Sequence, residues 1–270
     1  AFGATDRSPL WSPDGSRILY SSYQPTGEGF DIYIAHWSGA NARRLELEPP
    51  TNAFNLSWSP DGLQIAFMRT MRREDYGCVL ALDQPDAHPM CFPIQPHSRA
   101  VWSPDSTRIA YTYSTIARNR DLYIVQLAPL TFQALTRTPD IREYAPQWSN
   151  DGQSLFYIED GSGIFRYDLR LASQTQIYEI DYVRIYSVSP DNTAIALTNG
   201  DDLYVVSTDG TVRFRGVALY PFDLAWSADS AILAFTQATN SWDIAFLDMA
   251  SGVVTRDVQP GNAQSPGWRR

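Results

Sequence analysis

Apolar residues come in short bursts along this chain, and each burst is bounded by Gly, Pro, Asn or Asp. One set reads Arg17-Ile-Leu-Tyr20, Gln64-Ile-Ala-Phe67, Arg108-Ile-Ala-Tyr111, Ser154-Leu-Phe-Tyr157, Ala194-Ile-Ala-Leu197 and Ile232-Leu-Ala-Phe235. A second set follows it: Asp31-Ile-Tyr-Ile34, Val79-Leu-Ala-Leu82, Asp121-Leu-Tyr-Ile124, Gly163-Ile-Phe-Arg166, Asp202-Leu-Tyr-Val205 and Asp243-Ile-Ala-Phe246. Segments this short, rich in β-branched and aromatic residues, read as strands. A hairpin then leads to a further strand, as at Arg43-Arg-Leu-Glu46 and Val253-Val-Thr-Arg256. No helix of length is predicted.

Each group of strands is preceded by one motif. It stands as Trp11-Ser-Pro-Asp-Gly15, Trp58-Ser-Pro-Asp-Gly62, Trp102-Ser-Pro-Asp-Ser106, Trp148-Ser-Asn-Asp-Gly152, Val188-Ser-Pro-Asp-Asn192 and Trp226-Ser-Ala-Asp-Ser230. Successive first positions are 47, 44, 46, 40 and 38 residues apart, and Trp268 follows 42 after Trp226. A period of this length with four strands per unit predicts an all-β fold, a six-bladed β-propeller of four-stranded antiparallel blades. Within the motif, Pro sets φ for a turn, Asp bonds backbone N–H groups two residues on, and Gly takes the left-handed position. Trp is expected to fill the wedge between neighbouring blades. Six Asp in six separate turns do not make a metal site.

These motifs resemble the repeats of the TolB propeller and its relatives, a blade also found in the regulatory propellers of prolyl-oligopeptidase-type proteases. The resemblance runs from about Ser8 to Trp268 and implies a single propeller domain over 1–270. Blades are expected to start near 8, 54, 98, 144, 184 and 222, with 264–270 either closing the ring or opening a truncated further repeat. Val188 in place of Trp, and Asn150 and Ala228 in place of Pro, suggest looser turns. Propellers host many unrelated functions, so the fold does not name one.

Composition narrows the partner. The formal net charge is −9, which repels phosphates and argues against nucleic acid. All 21 basic residues are Arg, each a planar fork suited to carboxylates and aromatic faces. No apolar run is long enough to span a membrane. The chain starts at Ala1 and reads as a processed or excised segment, and the expectation is an extracytoplasmic, monomeric propeller. Cys78 and Cys91 fall on neighbouring strands of one hairpin, where either a disulfide or two buried thiols fits. Three scattered histidines, His36, His88 and His97, offer no metal cluster, and no cofactor is expected.

In this topology the motif turns share one face, and the opposite face carries the variable loops where binding resides on rigid scaffolds. Two of those loops are Arg-rich. Met68 to Tyr76 holds Arg69, Arg72 and Arg73, Tyr113 to Arg120 holds Arg118 and Arg120, and Arg99 lies on the connection between these blades. Interleaved with Tyr and Met, they suit an acidic peptide or protein partner. Local pairing with Glu74, Asp75 and Asp121 is the alternative. Counting back from each motif gives a second group at the expected channel mouth: Arg7, Phe54, Tyr144, Arg184 and Phe222 four residues before it, with Arg99 and Asp223 three before. That rim suits a peptide or a small anionic ligand, or only plugs the channel.

No catalytic constellation emerges. Gly161-Ser-Gly163 lacks the strand–elbow–helix setting of a hydrolase serine. Glu159-Asp160 and Asp201-Asp202 are neighbours in loops, which does not place two carboxyls about one site. The sequence therefore predicts a non-catalytic binding module, most simply a protein-interaction scaffold. A small-ligand sensor, or a regulatory propeller cut from a larger peptidase-like protein, is the alternative.

Overall fold

The structure, a computed structural model, describes residues 5–23, 30–47, 53–71, 74–84, 87–94, 100–114, 119–217, 219–238 and 242–257. The chain divides into two compact units, 1–137 and 138–270. In the first unit, β1 (Thr5–Trp11), β2 (Arg17–Tyr23), β3 (Phe30–His36) and β4 (Arg43–Arg44) form one sheet. The second sheet is β5 (Ala53–Trp58), β6 (Gln64–Met71), β7 (Glu74–Ala81) and β8 (Met90–Pro93). The third is β9 (Val101–Trp102), β10 (Arg108–Tyr113), β11 (Asp121–Leu127) and β12 (Leu130–Ala134).

The second unit repeats the plan. Its first sheet is β13 (Glu143–Trp148), β14 (Ser154–Glu159), β15 (Gly163–Asp168) and β16 (Ser173–Glu179). Then come β17 (Tyr186–Val188), β18 (Ala194–Asn199), β19 (Asp202–Ser207) and β20 (Val212–Gly216). The last are β21 (Pro221–Trp226), β22 (Ile232–Ala238), β23 (Trp242–Asp248) and β24 (Val254–Asp257). All six sheets keep sequence order, each strand pairing antiparallel with the next. This is the six-bladed β-propeller class that the repeat predicts. Among the described residues no helix is long and apolar enough to cross a membrane. The segment 264–270 lies outside the described residues.

The motif turns are built around the serine. In each, the serine hydroxyl donates to the Asp carboxylate two residues on and accepts the N–H of the residue five on. In blade three, Ser103 Oγ lies 2.5 Å from Asp105 Oδ1 and 2.9 Å from the Arg108 amide. The same pair of bonds recurs at Ser12, Ser59, Ser149, Ser189 and Ser227. The turns at Asn150 and Ala228 close with these bonds too, so they are no looser than the rest.

The fifth motif position takes a positive φ in every blade, Gly or not: +61° at Ser106, +60° at Asn192 and +60° at Ser230. A non-glycine residue is strained there. In each case its side chain accepts a backbone N–H from the preceding blade's turn. Ser106 takes the Asp61 amide at 3.0 Å, Asn192 the Asn150 amide at 2.8 Å and Ser230 the Asp191 amide at 3.1 Å. Gly62 has no side chain to offer, and its carbonyl instead accepts from Arg17 at 2.7 Å.

Blade packing within each unit follows strand alternation. In the first, Leu19, Ile32 and Ile34 pack with Ile65 and Phe67, and Ala66, Met68 and Val79 pack with Ile109 and Tyr111. In the second, Phe156 and Ile158 pack with Ile195 and Leu197, and Ala194 and Ala196 with Leu233 and Phe235. The Trp58 and Trp226 indoles donate to Leu10 and Ser187 carbonyls of the preceding blade. Trp11, first of the series, is 60% exposed. Val188 lacks the indole, and Tyr186 supplies the tie to blade four: its hydroxyl reaches the carbonyls of Ala145 and Phe156, and its single proton is shared between them. Cys78 and Cys91 are directly opposed on β7 and β8, with Cα atoms 4.1 Å apart, and form a disulfide.

Candidate functional site

The residues just before the motifs sit on irregular backbone. Pairing of the first strand to the second slips between Arg7 and Leu10, Phe54 and Ser57, Tyr144 and Gln147, and Pro221 and Leu224. Ser8, Asn55 and Ala145 within these slips have φ of 54°, 52° and 53°. Bulges of this kind re-aim side chains at functional rims. Four blades thus bend their first strand at the positions expected to form the rim. Arg7 of β1 pairs through its backbone with Ser21 of β2.

In the second unit two rim residues meet. The Arg184 guanidinium lies over the Phe222 ring, 4.3 Å from its centroid. The Arg184 amide is fixed by the Thr198 carbonyl at 3.0 Å. Asp223, next to Phe222, accepts from the Thr236 hydroxyl at 3.3 Å. Tyr144 is half-buried; burial, with the nearby charges of Asp160 and Tyr182, pushes its hydroxyl up to about 12. It therefore stays a neutral donor at physiological pH.

The Arg-rich loops differ from expectation. Strands β6 and β7 run on to Met71 and from Glu74, so Arg69 is a strand residue and not a loop residue. It is 6% exposed, whereas a loop arginine would be solvated. Arg72, Arg73, Arg99 and Arg118 lie outside the described residues, and Arg120 is half-buried at the entry to β11. Thr70 donates to Asp75, Tyr76 to Glu74 and Asn119 to Asp121.

Equivalent positions reveal a set that sequence reasoning missed. Eleven residues after each motif start stand Ser22, Arg69, Tyr113, Glu159, Asn199 and Gln237, near the end of each second strand. Three of them are buried with polar atoms that make no hydrogen bond: Arg69 Nε and Nη1, Glu159 Oε1, and Gln237 Oε1 and Nε2. Thr198 Oγ1 is likewise buried and unbonded. By strand alternation Thr198 continues the face of Ala194 and Ala196, and Gln237 that of Leu233 and Phe235; those faces pack together. Polar atoms left unpaired in a core cost about 1–3 kcal/mol each, so such a set requires an explanation.

Glu159 has a partner that its sequence neighbours concealed. It opposes Glu143 across β13 and β14, and the two are 4% and 0% exposed. Glu143 accepts from the Thr138 hydroxyl at 2.9 Å. Burial raises the Glu159 carboxyl above its ordinary value. A carboxyl raised on folding costs stability as pH rises from its unfolded value through its folded one. Glu159→Gln is expected to raise Tm at pH 7 and to have little effect at pH 4, measured by thermal denaturation at both.

Among the described residues no three His, Cys, Asp or Glu are grouped to hold a metal ion. Among the described residues of the second unit, the candidate rim holds Arg184 stacked on Phe222, with Asp223 beside it.

No known family's sequence profile matches the chain. Similarity to solved structures extends over nearly its whole length. TolB from Acinetobacter baumannii superposes with a TM-score of 0.59 at 16% identity, over 92% of this chain and 65% of that one. This chain thus spans just under two thirds of that TolB. An oligogalacturonate lyase in complex with manganese gives 0.68 at 12% identity, over 94% and 78%. A β-propeller domain from Myceliophteria thermophila gives 0.66 at 13% identity, over 98% and 90%. At these identities the likeness is one of fold, the β-propeller. The same fold carries a lyase, so activity must be read from this chain's own residues.

Proposed function

We propose that this chain is a non-catalytic binding module that docks an acidic protein or peptide partner on the loop ends of its blades. The observation that carries this reading is Arg184 laid over Phe222 beside Asp223 on a bulged strand. Arg and aromatic residues dominate interface hot spots, and a stacked guanidinium keeps its edge donors available to a carboxylate. Tyr144 offers a second aromatic anchor with a neutral hydroxyl. Arg72, Arg73, Arg99, Arg118 and Arg120 add positive charge to an otherwise acidic chain. The Cys78–Cys91 disulfide supports an oxidising, extracytoplasmic setting.

A ligand-sensor reading is favoured by one feature, the buried and unbonded Gln237 amide beside the face of Thr198. A ligand that bound only the native state would raise Tm.

The test is capture of partners on the immobilised domain, with Arg72→Glu/Arg118→Glu and Arg184→Glu variants alongside. A partner retained by the native domain is expected to bind the variants at least about tenfold more weakly, with a flatter dependence on salt. Unchanged affinity and salt dependence in all variants would remove the docking proposal.

A further inference from the structure

Among the described residues the arginines that form ion pairs lie at least partly exposed: Arg44 with Asp31 and Glu46, Arg108 with Asp105, and Arg215 with Asp202. The buried one does not pair. Arg69 is 6% exposed, and its Nε and Nη1 donors meet no acceptor. Its cross-strand neighbours are Ala53 on β5 and Tyr76 on β7, and Phe67 precedes it on the same face of β6. Ala53 and Phe67 belong to the apolar seam with Leu19 and Ile32 of blade one. The Tyr76 hydroxyl donates to Glu74 Oε2 at 3.1 Å.

A guanidinium held against an apolar wall without a counter-charge is among the costliest arrangements in a protein. Burial also lowers the pKa of Arg69, although not enough for a guanidinium to lose its proton at neutral pH. The cost is relieved when an anion arrives. Its size and charge are constrained by the surroundings. One positive charge matches one negative charge, and the apolar wall offers no donors for the surplus oxygens of a phosphate dianion. A carboxylate is planar, singly charged and short enough to be carried in on a side chain or a chain end.

We propose that Arg69 is a carboxylate-binding residue, receiving one carboxylate of a bound peptide at the seam between blades one and two. This deepens the reading of the chain as a binder of acidic partners and rests on it. It also gives that reading a buried anchor, separate from the loop arginines that attract a partner at longer range.

Three peptides serve as probes, each titrated calorimetrically and by thermal shift. Acetyl-hexaglutamate amide carries only side-chain carboxylates. Acetyl-hexaglutamine with a free C-terminus carries only a terminal one. Acetyl-hexaglutamine amide carries none. The native domain is expected to bind one or both charged peptides, the one preferred naming the source of the carboxylate, and to ignore the neutral one. Arg69→Met is expected to weaken that binding at least tenfold and to leave Tm of the free protein equal or higher, because it removes an unpaired buried charge. A lower Tm for Arg69→Met, including failure to fold, would assign Arg69 a structural role and overturn the proposal. So would equal binding of the neutral peptide, or binding of neither charged peptide. Loss of binding in Arg72→Glu/Arg118→Glu with retention in Arg69→Met would also overturn it, while leaving the docking reading intact.

Discussion

Ser103→Ala should lower Tm by about 5–10 °C, from a loss of about 2–3 kcal/mol. Ser103 is fully buried, and its hydroxyl bonds both the Asp105 carboxylate and the Arg108 amide. The alanine variant leaves the Arg108 amide and one lone-pair direction of Asp105 without a partner. An orphaned buried N–H accounts for most of the loss, since water can still reach the Asp105 carboxylate. The variant also changes the pH profile. Burial pushes the Asp105 carboxyl up, but the hydrogen bonds from Ser103 and Thr107 and the charge of Arg108 outweigh it and bring it down to about 2. A carboxyl depressed on folding contributes its stability above its unfolded value of 3.8 and loses it as pH falls toward about 2. The native protein should therefore lose more stability across that window than Ser103→Ala does. Denaturant melts at pH 5 and pH 2.5 check both parts. Equal slopes would mean that Asp105 owes its acidity to Thr107 and Arg108 alone.

Removing the disulfide is expected to cost about 3 kcal/mol, or about 6–12 °C in Tm. The two cysteines are 13 residues apart, and the bond closes a short hairpin loop in the unfolded chain. Cys78 is also fully buried against the blade-one seam, so Cys78→Ala/Cys91→Ala loses packing as well. Reductant should lower the Tm of the native protein and leave the double variant unchanged. If both thiols of the native protein alkylate without reduction, the bond is absent, and the inference of an oxidising compartment goes with it.

The repeat was legible because its turn residues are few and chemically distinct. Trp58-Ser-Pro-Asp-Gly62 announces a turn, and six variants of it 38 to 47 residues apart announce blades. The serine's role was not legible, because its second partner is a backbone amide five residues on, on a residue whose type varies among blades. Arg184 and Phe222 were grouped by counting back four from their motifs, and the structure stacks them. Arg69 was misread because Thr70, Arg72 and Arg73 break the apolar alternation, while the β6–β7 pairing runs on to Met71 and Glu74. Glu143 and Glu159 stand 16 apart in sequence, and only their register brings them face to face. The bulges gave no signal, since their left-handed residues are Ser8, Asn55 and Ala145 where glycine would have advertised them.

The residue that closes the motif has a consequence for how this protein was assembled and how it can be rebuilt. Ser106, Asn192 and Ser230 each serve the turn upstream of their own. A repeat cut out at its sheet boundaries therefore leaves behind the acceptor that its own turn relies on, and carries away one that belongs to its neighbour. Whole repeats of this chain are not interchangeable bricks. A graft that places a Gly-ended repeat after blade two, four or five strands an amide, and a viable chimera has to move the fifth residue together with the blade before it.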